Sequence, residues 1–342
     1  MAERNEFAEY SRSTGSCGDT GRWKIEEMIP ADVRTVVILG HIRPDGDCVG
    51  SCLGLYHYLQ DNMPGLDVEV CLQKFSESFR CLSGTELIQP MDTMDMNRTF
   101  DLCITCDASD RLRLGDAAAL LDRARYTICI DHHITNQGFA QKNYIRGGLS
   151  SCSEALGQLL DMDKIGTECA ACLYLGVVHD TGVFKFRSTT CDTMCYAGRL
   201  MEKGFDYTAI IDRTYYGRTK AQTLICGKAM NTMKTADHDR IAYAVITEKD
   251  MKEYGADTRD MNGIIDQLRV VDGVEAAVFV YEMEPGCFKV SLRSNHQVDV
   301  SAIAAAHGGG GHVQAAGFDC RMDYDSLIDM LLAEISAVLP AL

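Results

Sequence analysis

The first half of the sequence alternates short apolar runs with segments of helical pattern, and this alternation limits the fold more than any other feature. The apolar runs are Thr35–Leu39, Asp67–Leu72, Leu102–Cys106 and 126–130, and helical patterns cover 48–60, 116–124 and 153–160. Because parallel strands need crossover helices between them, this alternation predicts an α/β domain with a parallel sheet.

The second half of the sequence has a different order of helical and strand patterns. A mostly helical segment near 191–236 precedes strand patterns at Ile241–Ile246, 274–282 and 287–293 and helical patterns at 260–268, after Asp299 and at Tyr324–Val338. The 342 residues suffice for about two domains. We therefore predict a flexible leader over 1–22, an α/β domain over 23–195, a helical connector over 196–236 and a smaller α+β domain over 237–342.

Charge and hydropathy exclude several classes of protein. The chain has 33 basic and 49 acidic residues, a formal net charge of -16 that repels a long nucleic-acid duplex. No apolar run approaches the ~20 residues that span a bilayer, and the polar start lacks the pattern of a secretion signal. We expect a cytoplasmic protein without a membrane partner. A small anionic substrate is compatible with this charge if bound cations reverse the local field.

The 16 cysteines do not indicate a disulfide scaffold or a zinc site. Cys103 and Cys106 lie in a strand pattern, where their spacing sends the two side chains to opposite faces. Cys169 and Cys172 can share a helical face, but no second pair with zinc-site spacing accompanies them. We therefore expect reduced cysteines, most of them buried.

Carboxylates and imidazoles follow the apolar elements of the first domain. HIRPDGD at 41–47 follows the first run, Asp107 the third, DHH at 131–133 the fourth, and Asp180 ends the apolar stretch 173–178. The carboxyl ends of parallel strands meet at one edge of the sheet, where such folds bind ligands. Taken singly, Asp47 or Asp107 fits a helix cap equally well. Taken together, the donors outnumber the ligands of one ion and contain no thiolate, which predicts a binuclear site for manganese, magnesium, iron or zinc.

The second domain offers groups that suit an anion. Arg293 ends the polar face of the strand pattern 287–293, and the glycines 308–311 lead into His312. Arginine forks onto phosphates, and glycine lets backbone N–H groups approach them closely. A four-glycine run alone is equally typical of a flexible turn, so the prediction of an anion site rests on the combination.

These motifs resemble those of the DHH phosphoesterase superfamily. The four metal-binding motifs are matched in order by 41–47, Asp107, 131–133 and Asp180, and SLRS at 291–294, GGGGH at 308–312 and AAG at 315–317 are similar to the DHH-associated C-terminal domain. The resemblance points to the group of bifunctional oligoribonucleases and 3′-phosphoadenosine 5′-phosphate (pAp) phosphatases. It implies an active site in a cleft between the two domains.

The resemblance also implies roles for individual residues. It assigns His41 and Asp45 to a first metal ion, Asp47, His132 and Asp180 to a second, and Asp107 to both as a bridge. It places His133 beside the scissile phosphate, with Asp131 orienting a metal-binding imidazole. The phosphate end of the substrate would be bound by Arg293, Gly309, Gly310, Gly311 and His312. An aromatic platform for a base has three candidates, Phe184, Phe186 and His296, the first two also compatible with core packing.

The implied activity is hydrolysis of short oligoribonucleotides such as pApA to 5′-mononucleotides, removal of the 3′-phosphate of pAp, or both. The implied cofactors are two Mn²⁺ ions, with Mg²⁺ or another divalent ion as substitutes, and the implied assembly is a homodimer. Three alternatives stay open: a cyclic-dinucleotide phosphodiesterase, a manganese-dependent inorganic pyrophosphatase, and a nucleotide sensor without catalysis.

Overall fold

The computed structural model describes residues 23–339, so the leader predicted over 1–22 lies outside the described residues. The chain divides into two compact units, Met1–Gly217 and Arg218–Leu342. The division falls inside the segment 196–236 that we predict as a helical connector. Within residues 23–339, no helix is both long and apolar enough to cross a membrane.

The first unit is built on a six-stranded parallel sheet. Its strands are β1 (Thr35–Leu39), β2 (Asp67–Leu72), β3 (Gln89–Pro90), β4 (Leu102–Cys106), β5 (Tyr126–Asp131) and β6 (Lys142–Ile145). Its helices are α1 (Ile25–Met28), α2 (Gly46–Asn62), α3 (Ala118–Arg123), α4 (Cys152–Gly157), α5 (Thr167–Asp180), α6 (Cys191–Met201) and α7 (Tyr207–Ile211). The strand order is β3-β2-β1-β4-β5-β6, so the order reverses between β1 and β4.

Both faces of this sheet are covered, which explains the unbroken apolar runs. Val36 and Ile38 of β1 belong to the core shared with α2 and α5, whereas Val37 and Leu39 belong to the core on the opposite face. The same alternation separates Cys106 from Cys103, which lie in different cores, as the spacing predicts. The described cysteines are free, and most are buried.

The second unit contains a mixed six-stranded sheet with the order β11-β12-β10-β9-β8-β7. Its strands are β7 (Lys234–Ala236), β8 (Ile241–Ile246), β9 (Ala276–Glu284), β10 (Cys287–Ser294), β11 (Gly310–His312) and β12 (Ala315–Arg321). Its helices are α8 (Lys220–Asn231), α9 (Glu248–Tyr254), α10 (Ile264–Arg269), α11 (Val300–Ala306) and α12 (Tyr324–Val338). The β8–β9 pair is parallel and the others are antiparallel.

The α/β and α+β predictions are confirmed. Of the seven predicted strands, β1, β2, β4 and β8 have the predicted bounds, and β5, β9 and β10 differ by one or two residues. Two helices differ. The segment predicted as a helix over 116–124 starts within a 3₁₀ helix, Arg111–Ala117, and continues as α3. Regular α-helix cannot begin earlier because Gly115 adopts a φ of 56°, which is not a helical conformation. The helix predicted over 260–268 is a 3₁₀ turn, Thr258–Met261, then α10, with Gly263 at a φ of 82° between them.

Candidate metal centre

The first motif leaves β1 at its carboxyl end and places two carboxylates on α2. Asp45 is the N-cap of α2, and its Oδ1 accepts hydrogen bonds from the backbone N–H groups of Asp47 and Cys48, at 3.1 Å each. Asp47 is fully buried, and its two oxygens accept from the backbone N–H groups of Cys152 (2.6 Å) and Ser153 (3.0 Å). The start of α4 therefore fixes the Asp47 carboxylate, which is the usual preference of an anion at a helix N-terminus.

Asp107 lies between the two predicted metal positions. It directly follows β4 with a φ of 58°, a left-handed conformation that is uncommon for a residue other than glycine. Its Oδ2 is 3.4 Å from Nε2 of His41, and its Oδ1 is 3.5 Å from Nε2 of His132. One carboxylate thus faces two imidazoles, as the predicted bridging position requires. Because β1 and β4 flank the reversal of strand order, this is also where a doubly wound sheet binds ligands.

Each of these imidazoles presents Nε2 to the carboxylates because its Nδ1 is held elsewhere. Nδ1 of His41 donates to the carbonyl of Ile42 at 2.8 Å. Nδ1 of His132 donates to the carbonyl of Leu149 at 3.3 Å. Nε2 of His132 is 3.1 Å from Asp180 Oδ2 and 4.0 Å from Asp47 Oδ2. A hydrogen bond at one ring nitrogen is the usual way in which a protein orients a metal-binding imidazole.

The structure gives Asp131 a different partner from the one that we expected. Its Oδ1 accepts from Nδ1 of His133 at 2.8 Å, not from His132, whose Nδ1 is on a backbone carbonyl. Its Oδ2 accepts from the amide of Asn136 at 2.7 Å, and that amide also donates to the carbonyl of Ala108. Asp131 therefore orients the exposed imidazole of the DHH motif, while the backbone orients the buried one.

The pKa values show that the cluster is short of positive charge. Burial opposes charge on both imidazoles, but the adjoining carboxylates outweigh it and raise the pKa of His41 to about 11 and that of His132 to about 12. Burial raises the pKa of Asp47 and of Asp180, and the charge of Asp107 adds to this. For Asp107, the two imidazoles outweigh burial and lower the pKa to about 2. Without cations, the cluster takes up protons instead.

Divalent cations fit this donor set. Asp107 Oδ1 is buried and has no hydrogen-bond partner within residues 23–339, so it can accept an ion. Donor atoms within 4.8 Å of one another form three groups, which are His41 with Cys48 and Asp107, Asp107 with His132 and His133, and Asp47 with His132 and Asp180. The last group is the predicted second ion site. Imidazole and carboxylate suit transition metals and magnesium.

Two details of the predicted first ion site differ from expectation. Asp45 Oδ1 lies 3.7 Å from Nε2 of His41, but it also caps α2, and Asp45 belongs to none of the three groups found in the described chain. The group at His41 contains the thiol of Cys48 instead, although we expected no sulfur ligand. Sequence reasoning counted Cys48 with the structural cysteines because nothing in its spacing marks it.

The predicted anion-binding residues lie on one sheet of the second unit. Arg293 of β10 and His312 of β11 both pair with Ala315 of β12, so they share a face about 10 Å apart. The side chain of Arg293 is partly exposed, with Nε 3.7 Å from Asp266 Oδ1. His312 is exposed. Arg293 also donates through Nη1 to the carbonyl of Leu292 at 3.1 Å, so His312 is the less engaged of the two.

The glycine run is not the loop that we expected. Gly310 and Gly311 belong to strand β11 and pair with Gly317 and Ala316 of β12. A Cβ on Gly309 would lie 2.2 Å from the carbonyl oxygen of Gly317, and one on Gly311 would lie 2.4 Å from that of Ala315. Gly309 and Gly311 are therefore needed for close strand pairing, whereas Gly308 and Gly310 have open space around a Cβ position.

The three aromatic candidates are divided between the two units. Phe184 packs against the core of the first unit, with its ring centroid 6.3 Å from that of Tyr174. Phe186 is half-exposed, and a Cβ on Gly182 would lie 2.6 Å from its ring. His296 belongs to the second unit. Core packing is confirmed for Phe184 and is wrong for Phe186, which is half-exposed.

The fold and donor groups define a doubly wound domain with a metal-ligand cluster at its topological switch point, followed in the chain by an α+β domain. Residues 35–177 match the N-terminal domain of the DHH family, and residues 238–339 match the DHHA1 domain. The chain belongs to the DHH family. Proteins of this family are phosphoesterases that depend on divalent metal ions.

Several proteins of known name are similar to this chain in sequence or in fold. The probable bifunctional oligoribonuclease and PAP phosphatase NrnA of Streptococcus mutans is 28% identical over 288 residues, which are 83% of this chain and 88% of that protein. NrnA of Thermus thermophilus, named a bifunctional oligoribonuclease and PAP phosphatase, is 27% identical over 316 residues, 91% of this chain and 92% of that protein. A crystal structure of an exopolyphosphatase-related protein from Bacteroides fragilis has the same fold, with a TM-score of 0.79 and 23% identity over 90% of this chain and 93% of that one.

Proposed function

We propose that this chain hydrolyses short oligoribonucleotides to 5′-mononucleotides and removes the 3′-phosphate of pAp, using two divalent ions for which Mn²⁺ is the preferred species. The activities named for the related proteins support this substrate class. The observation that carries the proposal is Asp107. Its two oxygens face two oriented imidazoles, and its buried Oδ1 has no hydrogen-bond partner in the described part of the chain.

The number of ions follows from charge. Four carboxylates, from Asp45, Asp47, Asp107 and Asp180, surround the two buried imidazoles. With neutral imidazoles they carry four negative charges, which two divalent cations neutralise. We propose that Asp107 is shared between the ions, that His41 binds one of them with Asp45 beside it, and that Asp47, His132 and Asp180 bind the other.

When bound, such ions supply an activated water and neutralise charge on the phosphoryl oxygens. Side chains of the protein carry out the remaining chemistry. His133 is 40% exposed in its side chain, and its Nδ1 is engaged with Asp131, so Nε2 is the atom left to meet the substrate. The hydrogen bond to Asp131, only partly opposed by burial, raises the pKa of His133. We propose that His133 donates a proton to the leaving oxygen, with Asp131 and Asn136 holding its ring.

Substrate binding is assigned to the second unit. Arg293 and His312, which share a sheet face, would bind the terminal phosphate, with backbone N–H groups near Gly309, Gly310 and Gly311 as further donors. The negative net charge of the chain favours short substrates over long strands. A homodimer and a cytoplasmic location complete the proposal, on the resemblance alone, and light scattering of the purified protein tests the dimer.

The test is a product analysis by mass spectrometry. The protein and Mn²⁺ are incubated side by side with pAp, pApA, cyclic di-AMP, a short oligoribonucleotide and pyrophosphate. We expect AMP from pAp and pApA, and loss of both activities in Asp107→Asn. Asp122→Asn is the matched control, because Asp122 only forms an exposed ion pair with Arg111. Hydrolysis confined to pyrophosphate or to the cyclic dinucleotide, or binding without turnover, would overturn the proposal in favour of one of the three alternatives.

A further inference from the structure

Cys48 places a thiol at one end of the metal centre. It follows Asp47 in the first turn of α2 and is fully buried. Its Sγ, a ring nitrogen of His41 and a carboxylate oxygen of Asp107 all lie within 4.8 Å of one another. The second group of ligands, around Asp47, His132 and Asp180, contains only oxygen and nitrogen donors. The two ends of the centre therefore differ in chemistry.

The surroundings hold this thiol close to the donors, in contact with the thiol of Cys52 on the next turn of α2. A Cβ on Gly40, the residue before His41, would lie 2.3 Å from Cys48 Sγ, so the absence of a side chain there makes room for the sulfur. The thiol approaches the backbone carbonyl of His41 at 3.9 Å, a long contact even for sulfur. Independently, the Asp107 carboxylate has a buried oxygen, Oδ1, without a hydrogen-bond partner in the described chain; Oδ1 faces His132, and Oδ2 faces His41. A cation beside His41 would take the thiol and this carboxylate as ligands.

We propose that Cys48 binds, as a thiolate, the ion that His41 and Asp107 hold, and that this sulfur shifts the preference of that position toward zinc, iron(II) and cobalt(II). Thiolate is a soft ligand that favours these ions over manganese and magnesium. The thiol proton is released to solvent when the sulfur binds, so the thiolate adds one negative charge to the ligands of that ion. This inference rests on the metal centre proposed above and makes its two positions unequal.

Cobalt(II) is the probe, because thiolate bound to cobalt gives a near-ultraviolet charge-transfer band that oxygen and nitrogen ligands do not give. Metal-free full-length protein is titrated with Co²⁺ and its absorption recorded. We expect the band in the natural protein and its loss in Cys48→Ala and Cys48→Ser, with visible cobalt absorption retained. Cys52→Ala is the matched control, since Cys52 is equally buried one turn later on the same helix, and it should keep the band.

Competition between metals gives a second readout. Cys48→Ser should lower the affinity for Zn²⁺ at least about tenfold, the scale on which losing a supporting metal contact acts, and should change the affinity for Mn²⁺ much less. The serine variant serves here because it keeps the size and polarity of the side chain. Circular dichroism of each variant establishes that it is folded before metals are compared.

The outcomes separate this inference from the proposed function. Failure of the natural protein to bind Co²⁺ at all would refute the metal centre and with it the proposed function. Cobalt binding without the charge-transfer band, or a band that persists in folded Cys48→Ala and Cys48→Ser, would overturn the role of Cys48 and leave the proposed function standing. A band lost in Cys52→Ala and kept in both Cys48 variants would assign the sulfur elsewhere and equally overturn it.

Discussion

Gly176 offers a severe test of how tightly the metal centre is packed. It lies in α5, where a Cβ would be 2.0 Å from Ser153 Oγ and 2.4 Å from Asp47 Oδ1. Both distances are far below van der Waals contact, so Gly176→Ala must move the neighbours by more than about 1 Å. Asp47 has no free space, since it is fully buried and its oxygens are held by the start of α4.

The expected magnitude follows from that geometry. Overpacking of a buried site lowers the free energy of unfolding by about 1–3 kcal/mol. A displacement of about 1 Å in a group that positions the reaction can reduce turnover by about 100-fold. Gly176→Ala should therefore weaken Mn²⁺ binding and turnover together, although the residue binds neither ion nor substrate.

Urea unfolding of metal-free protein, calorimetric titration with Mn²⁺ and turnover of pApA measure the three effects. Gly198→Ala is the matched control, because Gly198 lies in helix α6 with nothing within 4 Å of its Cβ position. That variant should gain about 0.5–1 kcal/mol of stability, the usual advantage of alanine over glycine in a helix. A Gly176→Ala protein with unchanged stability, metal affinity and turnover would refute the packing argument.

Three further predictions concern the imidazoles and the anion site. Asp131→Asn should lower kcat on the order of 100-fold with Mn²⁺ affinity retained, because it weakens the hold on the proton-donating imidazole; unchanged kcat in steady-state assays would contradict that role. Arg293→Ala should raise KM for pAp by at least tenfold. Lys289→Ala is the control, because it removes only an ion pair with the exposed Asp319, 2.8 Å away, and it should leave KM unchanged. Equal effects of the two substitutions on KM would refute the assignment of Arg293. Despite burial, neighbouring carboxylates raise the pKa of His41 to about 11 and that of His132 to about 12. Metal-free protein should therefore lose stability as pH rises above 6.5, and Mn²⁺ should suppress that loss. Thermal unfolding with chelator measures this, and a stability that does not change with pH would be inconsistent with it.

The sequence predicts the strands whose residues are buried on both faces, and it misses the strands whose pairing depends on distant partners. β1 and β4 are buried almost throughout and have the predicted bounds, and β2, which has Asp67 and Glu69 at alternate positions, has them too. Every residue of β6 (Lys142–Ile145) is only half-buried, so no apolar run marks it. β11 consists of Gly310, Gly311 and His312, and its strand conformation comes from pairing with β12 rather than from the strand propensity of these residues.

The same distinction applies to the metal centre. The cluster could be predicted because His41, Asp107 and His132 follow strands that end at one edge of the sheet, while Asp180 ends helix α5. Their supports could not, because the contacts join residues far apart in sequence. The backbone of Cys152 and Ser153 binds Asp47 across more than a hundred residues, and the position of the Cys48 thiol depends on its packing beside Gly40.

The central claim is that one carboxylate joins two ions in this chain. Mn²⁺ titration followed by electron paramagnetic resonance tests it directly, since two manganese ions that share a bridging carboxylate give an exchange-coupled spectrum. We predict two Mn²⁺ ions per chain with a coupled spectrum, and loss of the coupling in Asp107→Asn. A natural protein that binds a single ion, or two ions with independent spectra, would contradict the claim.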